Sequence, residues 1–296
     1  NHRLAVVGFI SEKGGVGKTT ACYHVAVALR RYHNKSVLVI DADYQRGGIT
    51  GRLFPELIED FRRGTLPDVT LFSKFQHLYS ASLFDPTVTI RTASVGVDAI
   101  VADTRLAHVT TDKLPSTNNI FSNNLSLLNH LQVIRKVIDN LNNRYDYVLI
   151  DSHPEISDVL RSIIYASDYC VSPVKLDLQS SVGVPTVVSE IGTVNKDVAF
   201  MKATIDNTLI YSPTIFSGAM GMMAREYRGT PKQTEADEMR RLRSTGTVFS
   251  AYVTEGDGIR KAAQERLPVY DISGANADKQ SQQFRQLTTE FLTKCP

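Results

Sequence analysis

The stretch SEKGGVGKTT, residues 11–20, decides the fold of this 296-residue chain. The usual phosphate-binding loop (P-loop) reads G-x-x-x-x-G-K-[ST], but Glu12 stands here in place of its first glycine and Lys13 follows. The remaining glycines let the backbone turn tightly with its N–H groups pointing inward. Lys18 can then reach the β- and γ-phosphates of a nucleoside triphosphate, and the Thr19 hydroxyl is placed for Mg²⁺. The predicted binding residues are Gly14, Gly15, Val16, Gly17, Lys18, Thr19 and Thr20.

The residues on either side of the loop indicate a strand before it and a helix after it. LAVVGFI (4–10) is an unbroken apolar run, and the segment 19–33 carries Val25, Ala28 and Leu29 at helical spacing. A strand, a glycine-rich turn and a helix in this order place bound phosphates at the helix N-terminus. The context therefore supports a phosphate-binding function.

Apolar runs alternate with helical patterns along the rest of the chain. The predicted strands are 36–41, 97–102, 145–151, 168–174, 214–219 and 247–253, and the predicted helices are 124–141, 155–166 and 181–193. Because the runs are continuously apolar, they predict an α/β fold with one doubly wound, mostly parallel sheet flanked by helices. We expect one domain over 1–296, with an elaborated, partly helical segment at about 52–96.

Composition and charge limit the classes of function. The three cysteines, Cys22, Cys170 and Cys295, lie far apart, which favours a reducing cytosol over disulfides or a metal cluster. The chain has neither an apolar run long enough to span a membrane nor a signal-peptide pattern, so we expect a cytoplasmic protein with no membrane partner. A net charge of +2 is too small to indicate nucleic-acid binding, so any basic patch must be local.

Aspartates close two of the predicted strands. VLVIDAD places Asp41 and Asp43 after one strand, and YDYVLID places Asp151 after another. Asp151 is expected to hold Mg²⁺ together with Thr19. Strand alternation turns Asp41 and Asp43 to the same side, and Asp43 lies further out, so it is the candidate for orienting the attacking water. Alternatively, either of these two aspartates only caps the following turn.

Four stretches, KGGVGKTT, VLVIDADYQ, YDYVLIDSHPEI and VSPVKLDLQSSVGVPTVVSEI, resemble the ParA/Soj/MinD family of deviant Walker ATPases, most closely its ParA branch. The resemblance implies an ATPase that uses ATP and Mg²⁺, forms a homodimer on ATP, binds double-stranded DNA nonspecifically on the nucleoid and responds to a ParB-like or adaptor protein. It also implies that Lys13 acts across the dimer on the partner's phosphates, with Lys18 and Asp43 as the other catalytic side chains. Further nucleotide contacts implied by the resemblance are Asp41, Met222 and Met223.

Two motifs depart from the family pattern. The family usually has a threonine and two prolines after the second aspartate-ended strand, whereas Ser152, His153 and Pro154 follow Asp151 here. Tyr44 follows Asp43, where a proline is common. Either change can retune the loops that respond to nucleotide. A hydrogen-bonded loop histidine is the simpler interpretation of His153.

A basic stretch suggests where DNA binds. AREYRGTPKQTEADEMRRLR (224–243) has six basic and four acidic residues, and a helix over 232–243 would point Arg240 and Arg241 away from its apolar face. The candidate DNA contacts are Arg225, Arg228, Arg240, Arg241 and Arg243. The alternative is an ordinary solvated helix face. Because the P-loop begins at residue 11, we expect no helix-turn-helix ahead of it and no operator binding.

Two further functions stay open. One is a metabolic ligase of the dethiobiotin-synthetase kind, which shares the P-loop architecture. The other is a MinD-like membrane-associated ATPase, which would need a terminal amphipathic helix. Phe284, Leu287, Phe291 and Leu292 form one helical stripe, which we expect to pack on the core.

Overall fold

A mostly parallel sheet lies at the centre of the protein. The computed structural model describes residues 3–15, 17–45, 48–80, 82–176, 180–245 and 247–296. The strands in these ranges are β1 (Ala5–Phe9), β2 (Val37–Asp41), β3 (Arg91–Thr92), β4 (Asp98–Ile100), β5 (Tyr147–Asp151), β6 (Tyr169–Lys175), β7 (Ile215–Ala224), β8 (Glu226–Tyr227), β9 (Thr230–Pro231) and β10 (Val248–Thr254). The order across the sheet is β10-β7-β6-β1-β5-β2-β4-β3, and β8 pairs with β9 in a separate hairpin. Only β3 runs antiparallel to its neighbour in this eight-stranded sheet of the described residues.

Helices cover both faces of the sheet. They are α1 (Lys18–His33), α2 (Ile49–Leu53), α3 (Ile58–Arg63), α4 (Leu71–Gln76), α5 (Ile120–Asp139), α6 (Asp158–Ala166), α7 (Ser180–Thr204), α8 (Gln233–Thr245), α9 (Asp257–Glu265) and α10 (Ala275–Lys294). Side chains of α1 and α10 share one apolar cluster with Val7 and Val39, whereas those of α5 and α6 share another with Val6 and Ile40. Successive strand residues point to opposite faces, so both must be apolar here. The predicted α/β fold is confirmed.

Two elements are longer than their patterns predict. Helix α7 continues to Thr204 because Val194 and Val198 extend its buried stripe beyond the polar residues near 193. Strand β7 continues to Ala224 through glycines that normally indicate a strand end. Gly218 has φ +146 and lies so close to the Phe249 ring that a Cβ there would be 3.1 Å from Cδ1. This glycine accompanies a register shift in the pairing of β6 with β7.

The segment at 52–96 and the last helix, α10, pack around the sheet. Helices α3 and α4 and strand β3 lie within 52–96, where Arg91 forms a two-pronged ion pair with Asp68. In α10, Phe284, Leu287 and Phe291 are fully buried in the same cluster as α1. In the ranges that the structure describes, no helix combines the length and apolarity needed to cross a bilayer.

Candidate active site

The P-loop connects β1 to α1 at the carboxyl edge of the sheet. Gly15 and Gly17 have φ values of +73 and +83, a backbone conformation that glycine adopts without the strain of a side chain. A Cβ on Gly17 would also lie 3.2 Å from Cβ of Met222, on β7, so close packing requires a glycine there. Val16, a predicted binding residue, lies outside the described residues.

Lys18 and Thr19, the first two residues of α1, both contact Asp151 at the end of β5. The Lys18 ammonium donates to Oδ1 of Asp151, and Thr19 Oγ1 donates to Oδ2 over 2.9 Å. Lys18 Nζ also lies 3.8 Å from Asp43 Oδ2. Strands β1, β5 and β2 are neighbours, so their carboxyl ends bring together residues that are more than 100 positions apart in the sequence.

Burial and charge act in opposite directions on this cluster. Burial disfavours the Lys18 ammonium, but the carboxylates of Asp151 and Asp43 outweigh it and raise the pKa of Lys18. Burial raises the pKa of Asp151, and the charge of Lys18 partly opposes that rise. Lys18 and Asp151 form an ion pair. The second carboxylate beside Lys18, that of Asp43, also favours the charged form of the ammonium. The raised pKa of Asp151 then reflects the cost of placing these charges away from water.

A cavity of about 240 Å³ lies above the loop. It is lined by Ser11, Lys13, Gly14, Gly15, Gly17, Lys18, Thr19, Thr20, Asp43, Gln45 and Pro154. The described loop residues that we predict as nucleotide contacts therefore all border one space, and Lys13 is exposed at its rim. A second cavity, of about 380 Å³, adjoins Thr19 and Thr20 on the side of α2 and α9. Arg52 and Arg266 line this second space, and the sequence pattern had indicated neither residue as a nucleotide contact.

Asp43 accepts hydrogen bonds on one oxygen from two donors. The backbone N–H of Gln45 and the His153 ring nitrogen Nδ1 lie 3.1 and 3.0 Å from Oδ1. The Tyr44 and His153 rings stack with their centroids 4.0 Å apart. The two departures from the family pattern are thus in contact with each other and with the predicted catalytic carboxylate. Sequence reasoning missed this contact, although both changes follow strands that can be neighbours.

Asp41 has a different set of partners from Asp43. Its carboxylate accepts from the backbone N–H of Asp43 at 3.0 Å and from the Thr50 N–H and hydroxyl at 2.9 and 2.6 Å. Burial, with the charge of Asp151 second, raises the pKa of Asp41 to about 7. This geometry is that of a cap on α2. A nucleotide contact by Asp41 stays a prediction.

A buried histidine connects the start of α1 to the C-terminal part of the chain. His24 Nδ1 lies 2.8 Å from the Thr20 carbonyl oxygen, and Nε2 accepts from the Val269 N–H at 3.0 Å. Its ring stacks on Phe284 with a centroid distance of 4.2 Å. Burial lowers the pKa of His24 to about 3, so the ring is neutral. The helical pattern had not singled out this residue.

Met222 and Met223, the other predicted nucleotide contacts, differ in exposure. Met222 is buried against Gly17 and supports the loop from below. Met223 is half-buried and has a left-handed backbone with φ +55. The structure therefore leaves Met223 the more accessible of the two.

The candidate DNA-binding arginines lie on α8 and the hairpin before it. Arg225 pairs with Glu235 at 2.7 Å, Arg240 contacts Asp237, and Arg241 lies 3.6 Å from Glu238. Arg228 lies over the Tyr227 ring, and Arg243 is exposed. Met239 and Leu242 are buried, so Arg240 and Arg241 do point away from the apolar face. Much of the positive charge is nevertheless already paired with nearby carboxylates.

Comparison with known proteins identifies the family. A family model described as an AAA domain matches residues 4–205. Protein IncC of Escherichia coli is 25% identical over 99% of this chain and 71% of its own length. The chromosome partitioning protein ParA of Caulobacter vibrioides is 30% identical over 59% of this chain and 57% of its own.

Solved structures share the fold at low sequence identity. An ATP complex of a McdA variant from Cyanothece superposes with a TM-score of 0.75 and 16% identity, over 99% of this chain and 98% of that one. Cobyrinic acid a,c-diamide synthase from Mycobacterium smegmatis, with ADP and magnesium, has a TM-score of 0.62 and 16% identity, over 98% and 94% of the two chains. With two thirds of its length matched by the family model, the chain belongs to the AAA domain family and is a P-loop ATPase of the ParA/MinD type.

Proposed function

We propose that this protein is an ATP-switched partition or positioning ATPase of the nucleoid in the cytoplasm. It binds ATP with Mg²⁺, pairs with a second copy and then holds double-stranded DNA nonspecifically. A ParB-like or adaptor protein stimulates hydrolysis, which releases the DNA and moves a plasmid, chromosome or protein cargo. The observation that carries this proposal is the meeting of Lys18, Asp151 and Asp43 above one loop. The chromosome partitioning protein ParA among its relatives supports a role in partition.

Lys18 and the loop amides hold the phosphates in this proposal. The contact between Lys18 and Asp151 must exchange for one with the β/γ-phosphates when ATP enters, since a triphosphate is the stronger counter-charge for the ammonium. The Thr19 hydroxyl and the Asp151 carboxylate offer adjacent oxygen donors, 2.9 Å apart, of the kind that Mg²⁺ prefers. Bound Mg²⁺ would neutralise phosphate charge at this position.

Asp43 activates the attacking water. The water oxygen forms a bond to the γ-phosphorus as the bond from that phosphorus to the β,γ-bridging oxygen breaks, and ADP leaves with the electron pair. The Asp43 carboxylate accepts the proton that the water loses. Asp43 lines the same cavity as the loop, which supports this role as the proton acceptor.

Lys13 acts from the second copy, as a cation on the partner's phosphates. It lies exposed at the rim of the cavity, on the surface that would face that second copy. An ammonium contributes most where the interface excludes water. Met222 and Met223 on β7 are further proposed nucleotide contacts, of which Met223 is the more accessible. Asp41 accepts hydrogen bonds from the Asp43 and Thr50 N–H groups and so holds the loop that follows β2 in place.

DNA is held by Arg225, Arg228, Arg240, Arg241 and Arg243. Contacts to phosphates need only suitably placed positive charges, and pairing two copies doubles the number of contacts made at once. Each arginine that is now paired must exchange its carboxylate for a DNA phosphate. The expected affinity of a single copy is therefore weak, and ATP-dependent pairing provides the switch.

A metabolic ligase of the dethiobiotin-synthetase kind is the second candidate. The fold likeness to the diamide synthase favours it, but that likeness is smaller than the one to McdA. The alternative MinD-like role would need an exposed apolar helix, whereas the stripe on α10 is buried on the core.

The deciding experiment measures the fluorescence anisotropy of a random DNA duplex over a salt series, with ATP and with ADP. We expect binding with ATP only, and binding that weakens steeply with salt. Light scattering in the same buffers should show a dimer with ATP alone. Equal binding in both nucleotides would remove the switch. If neither nucleotide supports binding, the ligase becomes the better candidate.

A further inference from the structure

We propose that His153 is a positioning residue for hydrolysis, which holds the Asp43 carboxylate with one oxygen directed at the P-loop cavity. The inference rests on the proposed role of Asp43 as the acceptor of the water proton. The new element is the identity of the side chain that orients Asp43. The residues involved are those at which this chain departs from the family pattern.

The two carboxylate oxygens of Asp43 have different partners. Oδ1 accepts from Gln45 N–H at 3.1 Å and from His153 Nδ1 at 3.0 Å. A carboxylate only accepts, so Nδ1 is the protonated nitrogen of the ring in this contact. Oδ2 lies on the side of Lys18, at 3.8 Å from its ammonium. One oxygen is therefore occupied by protein donors, and the other faces the space for the γ-phosphate and water.

The backbone next to His153 is itself anchored to the strand that carries the P-loop. The Ser152 N–H and hydroxyl both donate to the carbonyl oxygen of Phe9, at 3.2 and 2.9 Å. Phe9 is the last residue of β1, and the loop starts directly after it. The same strand end therefore positions both the loop and His153. Through its hydrogen bond, His153 in turn fixes the orientation of the Asp43 carboxylate.

Stacking fixes the plane of the His153 ring. The Tyr44 ring lies 4.0 Å away at an interplanar angle of 21°, and His153 is only 5% exposed. On its other side, Nε2 lies 3.5 Å from Glu155 Oε2, whose side chain is exposed. A proline at position 44 could not stack in this way. The aromatic ring at 44 and the imidazole at 153 thus act as one unit that orients Asp43.

The test compares three substitutions at His153 under steady-state ATPase conditions. His153→Ala should lower kcat roughly 10- to 100-fold, the range expected for loss of one hydrogen bond to a charged group. The KM for ATP should stay within twofold, because the phosphate contacts are untouched. His153→Asn keeps an N–H donor near the Nδ1 position and should recover kcat to within about threefold. His153→Gln, whose amide reaches the Nε2 position instead, should resemble His153→Ala.

A matched control separates positioning from packing. His130 is equally buried, and its Nε2 lies 2.8 Å from the Asp158 carbonyl oxygen. His130→Ala should lower the thermal midpoint and leave kcat unchanged. If His130→Ala and His153→Ala lower kcat equally, the effect is structural and the proposal is overturned. Equal loss in His153→Asn and His153→Ala would overturn it as well.

A double-mutant cycle distinguishes this proposal from the one on which it rests. In single-turnover measurements, His153→Ala should have no further effect in an Asp43→Ala background, because it acts through Asp43. If Asp43→Ala hydrolyses ATP at the parent rate, both proposals fail. If Asp43→Ala is impaired while His153→Ala keeps the parent kcat, or if the two losses multiply, only the role of His153 fails.

Discussion

The P-loop edge and the outer face of α8 both collect charged side chains, yet they neutralise those charges in different ways. At the P-loop edge, Lys18 meets Asp151 and Asp43 across three strands, away from water. On α8, the exposed Arg240 contacts Asp237, and the exposed Arg241 lies 3.6 Å from Glu238, whose side chain is buried. Each carboxylate stands three positions earlier on the same helix. The first arrangement depends on the fold, whereas the second depends only on helical spacing.

This difference determines how much each region says about function. Removing one partner of a buried group of charges costs about 3–5 kcal/mol, whereas replacing the whole group by apolar side chains is often neutral or stabilising, so a buried cluster of charges favours a functional role. An exposed pair contributes about 0–1 kcal/mol and forms wherever opposite charges are spaced by one helical turn. The P-loop edge is therefore strong support for nucleotide binding, and α8 is weak support for DNA binding. Five experiments test the two regions.

Lys18→Ala should produce the largest effect. Lys18 is the buried cation beside Asp151 and Asp43, whereas the exposed Lys13 is proposed to act on the partner's phosphates, so we expect ATP affinity to fall by at least about 100-fold. Calorimetric titration with ATP and Mg²⁺ measures this directly. Retention of micromolar affinity would contradict the assignment of the loop, and Lys196→Ala on α7 is a suitable charge-matched control.

Asp43→Ala should keep ATP binding and lose hydrolysis. The expected fall in kcat is about 10²- to 10⁴-fold, the usual contribution of a positioned general base. Because ATP then persists, light scattering should show a dimer that does not dissociate. Hydrolysis at the parent rate would mean that another group accepts the proton.

The buried His24 should make stability depend on pH. Its pKa is lowered to about 3 in the folded protein, against an ordinary value of 6.5, so the unfolded state binds the proton first. The resulting stability is present above pH 6.5 and is lost as the pH falls toward about 3, by up to about 5 kcal/mol. Burial raises the pKa of Asp41 to about 7, and this group contributes a slope of opposite sign in the same pH range, so the effect of His24 is measured as a difference. In urea denaturation from pH 7 to 4, the parent should lose more stability with falling pH than His24→Leu. The exposed His108→Leu is the control, and an equal slope in the His24 variant would contradict the assignment.

Arg240→Ala with Arg241→Ala should have the smallest effect. We expect nonspecific DNA binding to weaken for all sequences and its salt dependence to flatten by roughly one to two units of slope, since each lost phosphate contact releases about one fewer counterion. Anisotropy of a random duplex across salt measures both quantities. Lys196→Ala with Lys202→Ala removes the same charge from α7 and should change little.

Removal of an acidic partner on α8 also tests whether Arg240 binds DNA. Asp237→Asn removes the carboxylate that Arg240 contacts, and it should strengthen DNA binding if Arg240 serves DNA. Unchanged affinity in both the arginine and the aspartate variants would make α8 an ordinary solvated face.

The fold class, the loop and the strand-end aspartates could all be predicted from the amino-acid sequence alone. Short local patterns indicate these features: glycines where the backbone must turn, continuous apolar runs for strands covered on both faces, and carboxylates directly after those runs. The same patterns failed at Gly218 and in the second half of α7, where packing against Phe249 and a continuing buried stripe extend the elements beyond their apparent ends.

The contacts that these aspartates make could be seen only in the folded structure. Strand alternation predicts Asp41 and Asp43 on one side, yet Asp41 bonds to Thr50 while Asp43 bonds to His153. The stacking of Tyr44 on His153 and the burial of His24 against Phe284 and Val269 were likewise absent from the linear pattern. Such contacts depend on which strands are neighbours in the sheet and on which rotamers the packing permits. Those are properties of the assembled fold, because groups more than 100 positions apart along the chain meet there within hydrogen-bonding distance.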